Sequence, residues 1–243
     1  HTQEGETEAV KDLSFRVERG EFFGIVGPSG CGKSTILSMA ASLLKQSGGN
    51  ILICGDSPDS STGKVAYMLQ HDHLFGWRTI LKNCTIGLEI QHKLTNKKTE
   101  EVIEMLNQYG LGNFVNAYPH QLSGGMRQRA ALVRTLALDP DILLLDEPFS
   151  ALDYHTRLTV ADEISSIIRA AGKTAILVTH DISEAVSMCD RVAVLSSRPA
   201  TITSIYEIDL NEYSALQRRQ HPLFSTYFNT IWKELMKNAG NEQ

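Results

Sequence analysis

One stretch of this sequence has the residue types that bind a phosphate chain. It consists of Gly27, Pro28, Ser29, Gly30, Cys31, Gly32, Lys33 and Ser34, followed by Thr35, and matches G-x-x-x-x-G-K-[ST]. Glycines let backbone N–H groups close around phosphate oxygens where a side chain would clash. Lys33 suits the β- and γ-phosphates, and the Ser34 hydroxyl suits Mg²⁺. This phosphate loop, residues 27–34, predicts a nucleoside triphosphate site, whereas a chance glycine-rich turn is the competing interpretation.

Two adjacent carboxylates, Asp146 and Glu147, follow the apolar run from Ile142 to Leu145. Neighbouring residues of a strand point to opposite faces, so one carboxylate can hold a metal while the other addresses a water molecule. We assign Asp146 to Mg²⁺ and Glu147 to activation or positioning of the attacking water. Ordinary strand-end carboxylates are the alternative, which the phosphate loop makes less favourable.

The elements that must position these groups alternate between apolar strands and helices. Strands are predicted at 13–17, 21–26, 64–70, 142–145, 174–179 and 191–195, and helices at 34–44, about 124–138 and before Gly172. This alternation predicts an α/β fold with a mostly parallel sheet covered on both faces. From about 71 to 140 the helical period dominates, with Thr99 as the expected cap of one helix. An amphipathic helix near the end, with Phe224 and Ile231 on its apolar face, is expected to pack on its own domain.

We therefore expect a single domain over 1–243. Residues 1–70 and 140–243 would form the α/β core, and residues 71–139 a helical lobe inserted into it. The length and the 42% of hydrophobic residues suit such a domain. A net charge of -5 argues against a nucleic-acid partner, and no apolar run approaches the ~20 residues that span a bilayer. The chain begins at His1 without a leader pattern, and we expect its first residues to be missing.

A second glycine pair opens the helix ahead of the acidic residues. Ser123, Gly124 and Gly125 follow Leu122, and together they offer a hydroxyl, backbone N–H groups and a helix N-terminus to an anion. Taken alone, this signature turn (122–125) is no more than a helix cap. Its place between the phosphate loop and the acidic pair favours a second phosphate contact.

With these motifs in this order, the chain resembles the nucleotide-binding domains of ABC ATPases along nearly its whole length. Gln70 is similar to the glutamine of their Q-loop, residues 150–153 to their D-loop, and His180 to their switch histidine. The resemblance implies a P-loop NTPase (RecA-like) core with an N-terminal antiparallel β part. It also implies ATP and Mg²⁺ as cofactors, with Ser34, Gln70 and Asp146 at the metal.

The resemblance further implies a homodimer that sandwiches ATP between the phosphate loop of one copy and the signature turn of the other. His180 would hold the γ-phosphate, Lys33 and Glu147 would act in catalysis, and Asp153 would link the two sites. The family stacks adenine on an aromatic residue upstream of the phosphate loop. None occurs from His1 to Lys11, so this residue is expected before His1, while Phe15 is expected in the core.

The run from Gln70 to Ile80 narrows the resemblance. It is similar to the Q-x-D-x-L-x-x-W-x-T run of the nitrate, sulfonate and taurine importer branch, with Gly76 where that branch has proline. That branch implies a peripheral subunit on the cytoplasmic face of the membrane, with separate permease subunits and an extracytoplasmic solute-binding protein. Leu74, Phe75 and Trp77 would then form a groove for a permease helix, or alternatively pack inside the lobe.

Other function classes stay open from the sequence alone. One is a soluble ABC ATPase that acts on an intracellular assembly or on nucleic acid. Another is a binding protein with a degenerate ATP site, although Glu147 and His180 are both present. The transported substrate does not follow from these residues, and a small organic or inorganic anion is the class that the branch implies.

Overall fold

The computed structural model describes residues 8–61 and 63–239, and a six-stranded sheet lies at its centre. The strand order is β2-β3-β4-β1-β5-β6. All neighbours pair in parallel except β5 and β6, which are antiparallel. The strands are β1 (Phe22–Val26), β2 (Val65–Met68), β3 (Ile142–Asp146), β4 (Thr174–Thr179), β5 (Arg191–Leu195) and β6 (Ile202–Glu207). The predicted α/β fold with a mostly parallel sheet is thus confirmed.

Helices cover both faces of this sheet. They are α1 (Lys33–Ala40), α2 (Ile80–Ile90), α3 (Asn96–Gln108), α4 (Gly124–Leu136), α5 (Tyr154–Ala170), α6 (Ile182–Met188), α7 (Ala215–Gln220) and α8 (Pro222–Ala239). Within the described residues, no helix is long and apolar enough to cross a bilayer. The apolar face of α8 packs on the main core through the buried Ile231 and the partly buried Phe224, as predicted.

Strand β3 shows how the sheet separates two cores. Leu143 and Leu145 pack in one hydrophobic cluster, whereas Leu144 between them packs in the cluster on the opposite face. The alternation of side chains along a strand produces this division. Asp146 and Glu147, at the end of β3, therefore lie at the border of the hydrophobic clusters on the two faces of the sheet.

Helices α2, α3 and α4 enclose a third hydrophobic cluster. Its fully buried members include Ile80, Leu88, Leu106 and Val133. A separate apolar centre is what an inserted lobe requires. The division of the chain into core and lobe at 71–139 nevertheless stays a prediction.

Several predicted boundaries were wrong. Helix α1 ends at Ala40, not Leu44, since Ser42 takes a positive φ of 60°. Helix α3 begins after Thr95, whose hydroxyl accepts from Lys98 N at 3.2 Å, while Thr99 lies inside the helix.

The N-terminal β part also differs from the expectation. In the described segment 8–21, no strand forms at 13–17, and Val10 makes an isolated parallel bridge with Ala200. The antiparallel pairing lies instead between β5 and β6. Phe15 stacks on Phe23 with ring centroids 5.2 Å apart, which confirms its predicted place in the core. The adenine-stacking residue expected before His1 lies outside the described residues.

Candidate functional site

The phosphate loop connects β1 to α1 at the carboxyl edge of the sheet. Lys33 is buried, and its Nζ donates to the carbonyl oxygens of Gly27 at 3.0 Å and Pro28 at 2.9 Å. Ser29 and Gly30 are exposed at the loop tip. The lysine thus lies across its own loop, with its charge held by backbone oxygens where a phosphate chain can replace them.

Two glycines of the loop are required by its conformation. Gly32 has φ of 124°, and a Cβ there would lie 2.9 Å from the Ala9 carbonyl oxygen. A Cβ on Gly27 would lie 2.9 Å from Leu195 Cβ. At these two positions the loop therefore passes so close to other parts of the chain that a side chain is excluded.

The remaining loop residues divide between the core and the surface. Cys31 is buried, and this burial raises the pKa of its thiol, so it is an inert packing residue. Thr35 is half-buried in the first turn of α1, next to the exposed Ser34.

Asp146 lies at the end of β3, beside the start of α1. Its Oδ1 accepts from the Ser34 hydroxyl at 3.0 Å, and its Oδ2 accepts from the Tyr67 hydroxyl at 2.9 Å. Burial, and then the Asp146 charge, raise the pKa of Tyr67 to about 12. Tyr67 therefore stays protonated and fixes the carboxylate. Our sequence reasoning missed Tyr67, because the pairing of β2 with β3 that brings it near Asp146 is not visible in the sequence.

Glu147 stands at the centre of a second polar group. Its Oε2 accepts from Gln70 Nε2 at 3.3 Å and lies 3.0 Å from His180 Nδ1. Its backbone has φ of 44°, a left-handed conformation, and its N–H donates to the Val178 carbonyl at 2.8 Å. The side chain is 19% exposed and that of His180 is 56% exposed. The structure thus joins three predicted residues that are distant in sequence, and Gln70 contacts Glu147, not the Ser34–Asp146 pair.

A buried carboxylate that our sequence reasoning missed lies behind His180. Glu184 is 2% exposed, and its Oε2 accepts from the Thr179 hydroxyl at 2.7 Å. Burial raises its pKa to about 7, although the Thr179 bond and the Arg157 charge oppose that shift. No sequence signal distinguished it, since a Glu on a short helix is usually exposed.

The signature turn lies on a different part of the molecule. Ser123 caps α4, with its hydroxyl accepting from Met126 N at 3.3 Å. Gly125 is buried against α5, and a Cβ there would lie 2.7 Å from Thr156 Cγ2. Ser123 and Gly125 together border a shallow surface depression with Thr156. The turn is therefore open to solvent, and its glycine is required by close helix packing.

Asp153 ends the D-loop and caps α5. Its Oδ1 accepts from Thr156 N at 3.1 Å, and hydrogen bonding with Thr156 lowers the pKa of its carboxyl. The residue is exposed and contacts its own helix. Asp153 is therefore available at the surface beside the signature turn.

The segment after Gln70 is tied to the signature helix. Asp72 Oδ2 accepts from Arg127 Nε at 3.0 Å, and Arg134 donates to the Asp72 carbonyl at 2.6 Å and the His73 carbonyl at 2.8 Å. Both arginines belong to α4, so displacement of this segment would pull on the helix that carries Ser123.

Residues 74–79, the aromatic loop, present an aromatic pair. Phe75 and Trp77 have ring centroids 5.0 Å apart, and Trp77 is 76% exposed, which excludes its packing inside the lobe. The buried Asn83 holds the loop, since it accepts from Phe75 N at 2.7 Å and donates to the Arg78 carbonyl at 3.0 Å. The loop is thus rigid at its base and apolar at its tip, with Leu74 half-buried beneath it.

Comparison with known families and proteins places most of the chain in one family. A family model described as ABC transporter matches residues 10–150. YtlC of Bacillus subtilis (strain 168), described as an uncharacterized ABC transporter ATP-binding protein, is 46% identical over 94% of this chain and 89% of its own length.

A second relative and a solved structure add detail. The aliphatic sulfonates import ATP-binding protein SsuB of Bacillus licheniformis is 39% identical over 94% of this chain and 87% of its own. The ATP-binding cassette MJ0796, solved as a dimer in a post-hydrolysis state with ADP and Pi, is 30% identical with a TM-score of 0.70. That match covers 82% of this chain and 90% of the solved one.

Proposed function

This chain belongs to the ABC transporter family and is an ATP-binding ATPase, and we propose that it powers an importer as a subunit separate from the membrane permease. The observation that carries the proposal is the meeting of Gln70, Glu147 and His180 beside the phosphate loop, with an exposed aromatic loop on the segment that follows Gln70.

Each polar group has a distinct task in hydrolysis. The N–H groups of the phosphate loop and Lys33 bind the phosphate chain, which requires Lys33 to leave the Gly27 and Pro28 carbonyls. Glu147 accepts the proton of the attacking water or orients it. His180 fixes Glu147 and contacts the γ-phosphate, and Gln70 completes the group from the opposite side.

The Ser34–Asp146 pair fits Mg²⁺. Hydroxyl and carboxylate oxygens are the donors that this ion prefers, and Mg²⁺ is commonly held by one or two carboxylates together with substrate phosphates. Within the described residues, no cluster of three or more His, Cys, Asp or Glu forms a metal cage, so the single carboxylate of Asp146 suits a shared site. When bound, Mg²⁺ supplies positive charge to the β- and γ-phosphate oxygens. Gln70 would join this site from the Glu147 side.

We propose that two copies associate head to tail and complete each other's sites. Ser123 and the N–H groups of Gly124 and Gly125 would bind the γ-phosphate of the other copy's ATP, with Asp153 at the same junction. The dimeric structure of the MJ0796 cassette supports the association of two copies. The specific activity of the isolated protein should therefore fall on dilution, because the fraction of dimers falls. A specific activity that is constant over a hundredfold dilution would contradict the shared site.

The proposed partners follow from the relatives that are named as sulfonate importers. They are permease subunits and, through them, an extracytoplasmic solute-binding protein. The subunit would lie at the cytoplasmic face of the membrane without nucleic acid as a partner. A small anion such as a sulfonate, taurine or nitrate is the proposed cargo.

The aromatic loop (residues 74–79) is the proposed contact with the permease. An apolar tip on a rigid base suits a short helix laid in a groove. Trp77→Ala should abolish co-purification of the permease while ATP binding persists. Trp232→Ala is the matched control, because Trp232 is 47% exposed on α8, outside this loop. Retention of the permease by the Trp77 variant would contradict the docking role.

The decisive experiment is purification of the tagged protein from native membranes in mild detergent, with partners identified by mass spectrometry. A multi-span permease and a binding protein are the expected result. Recovery of soluble proteins or nucleic acid alone would overturn the importer proposal and favour an ATPase of an intracellular assembly.

A further inference from the structure

Arg157 lies in the first turn of α5, and its guanidinium reaches groups on two other segments. Nη2 donates to the Leu152 carbonyl in the D-loop at 3.0 Å, and Nη1 donates to Asp181 Oδ2 at 3.4 Å. Its Nε lies 3.8 Å from Glu184 Oε1. One cation thus connects the D-loop to the N-terminus of α6.

The carboxylates that Arg157 contacts fix the chain on either side of His180. Asp181 N donates to the Thr179 hydroxyl at 3.0 Å, and that hydroxyl donates to Glu184 at 2.7 Å. Asp181 Oδ1 also caps α6 by accepting from Ser183 N at 2.7 Å. The exposed His180 ring contacts Glu147 Oε2 at 3.0 Å, so its direction depends on that contact and on the backbone that these bonds fix.

The other end of the connection faces the signature turn. The Leu152 side chain is buried, and a Cβ on Gly124 would meet its Cδ2 at 3.5 Å. A shift of the D-loop would therefore move the carbonyl that Arg157 binds. Arginine transmits such a shift well, since its planar fork holds several acceptors at once.

We infer that Arg157 is a positioning residue that aligns His180 with Glu147 according to the position of the D-loop. When a second copy binds at the D-loop, Arg157 would change the alignment of His180 in the same chain. The rate of hydrolysis would therefore rise when the dimer closes. The inference rests on the proposed role of His180 and extends it to Arg157, whose polar contacts are with Leu152, Asp181 and Glu184.

A purely structural role is the alternative, and Arg169 provides the matched control. It lies on the same helix, donates to the Met188 carbonyl at 2.7 Å and pairs with Asp190 at 2.8 Å. It therefore joins α5 to the far end of α6 with the same kinds of bonds. Arg169→Gln should lower the melting temperature and leave the hydrolysis rate unchanged.

The test is a double-mutant cycle measured by single-turnover hydrolysis of radiolabelled ATP. Arg157→Gln should lower the rate by about 10- to 100-fold, the scale for a misplaced catalytic group, with ATP affinity within about twofold. In a His180→Ala protein the same change should cost less than about twofold, because the group it acts through is gone. Arg157→Lys should recover part of the rate. Equal losses in both backgrounds would overturn the inference.

A second variant and a spectroscopic readout cover a failure of Arg157→Gln to fold. Asp181→Asn keeps the helix cap but removes the negative charge that Arg157 contacts. It should lower the single-turnover rate in the otherwise unchanged protein. In the His180→Ala background it should change that rate less than about twofold, as Arg157→Gln does. In ¹⁵N NMR spectra the ring signals of His180 should move in Asp181→Asn and not in Arg169→Gln. Unmoved signals would overturn the inference. A His180→Ala protein with normal activity would instead refute the proposed role of the histidine itself.

Discussion

The phosphate loop and the signature turn both present backbone N–H groups at a helix N-terminus, yet their surroundings differ. The charged groups around the phosphate loop are hydrogen-bonded within the chain. Lys33 donates to two carbonyl oxygens, and Asp146 accepts from the hydroxyls of Ser34 and Tyr67. Within the described residues, the only hydrogen bond of the Ser123 hydroxyl is with Met126 N of its own helix. We therefore expect the phosphate loop to bind ATP by itself, and the signature turn to bind a phosphate only when another copy of the chain brings it.

The largest expected effect separates ATP binding at the phosphate loop from dimer formation through the signature turn. Glu147→Gln should lower hydrolysis roughly 10²- to 10⁴-fold, the usual contribution of a general base, while ATP binding persists. The uncleaved γ-phosphate should then hold two signature turns in place and trap a dimer in gel filtration with Mg-ATP. A variant that hydrolyses at the normal rate and stays monomeric would refute this assignment.

The next effect concerns Glu184, the buried carboxylate behind His180. The folded pKa of Glu184, about 7, lies above its usual value of 4.5, so the folded state binds more protons between these pH values. The free energy of unfolding should therefore fall as pH rises through this window, by about 3 kcal/mol at most.

Glu184→Gln should remove that fall. Urea unfolding at pH 5 and pH 7 measures it, with Glu163→Gln as the control because Glu163 is a half-exposed residue that pairs with Arg129. An unchanged pH dependence in the Glu184 variant would contradict the elevated pKa.

A smaller effect tests the rigidity of the signature turn. Gly125→Ala brings a Cβ within 2.7 Å of Thr156 Cγ2, so α4 and α5 must separate. Overpacking of this kind costs about 1–3 kcal/mol, and thermal unfolding should begin several degrees lower. Gly124→Ala, whose nearest contact would be an ordinary 3.5 Å, should leave the melting temperature unchanged or raised. Equal melting temperatures for both variants would show that the helices are not tightly packed.

The smallest effect returns to the phosphate region. Tyr67→Phe deletes one hydrogen bond to Asp146 and should weaken Mg-ADP binding by about fivefold, equivalent to ~1 kcal/mol. Calorimetry with Mg²⁺ and with a chelator checks this, because only the metal-dependent part should change. Equal weakening in both conditions would place Tyr67 outside the metal site.

The sequence was informative where chemistry requires a fixed local spacing. The phosphate loop and the Asp146–Glu147 pair could be predicted because each lies on a few consecutive residues. Tyr67 could not, since its contact depends on the register that sets it opposite Leu144 in the neighbouring strand. Thr95 and Thr99 are equally good caps as residue types, and the choice between them depends on tertiary packing of α3.

The conformation of Glu147 has a consequence for how this protein can evolve. A φ of 44° costs about 1–2 kcal/mol in most residues with a Cβ, whereas glycine adopts it freely and asparagine at a lower cost. By backbone conformation alone, glycine or asparagine is therefore preferred at this position, and neither can act as the proposed base. Selection for folding stability alone would therefore not remove substitutions of Glu147 that abolish hydrolysis, and could favour them. We infer that selection for ATP hydrolysis keeps the glutamate at this position.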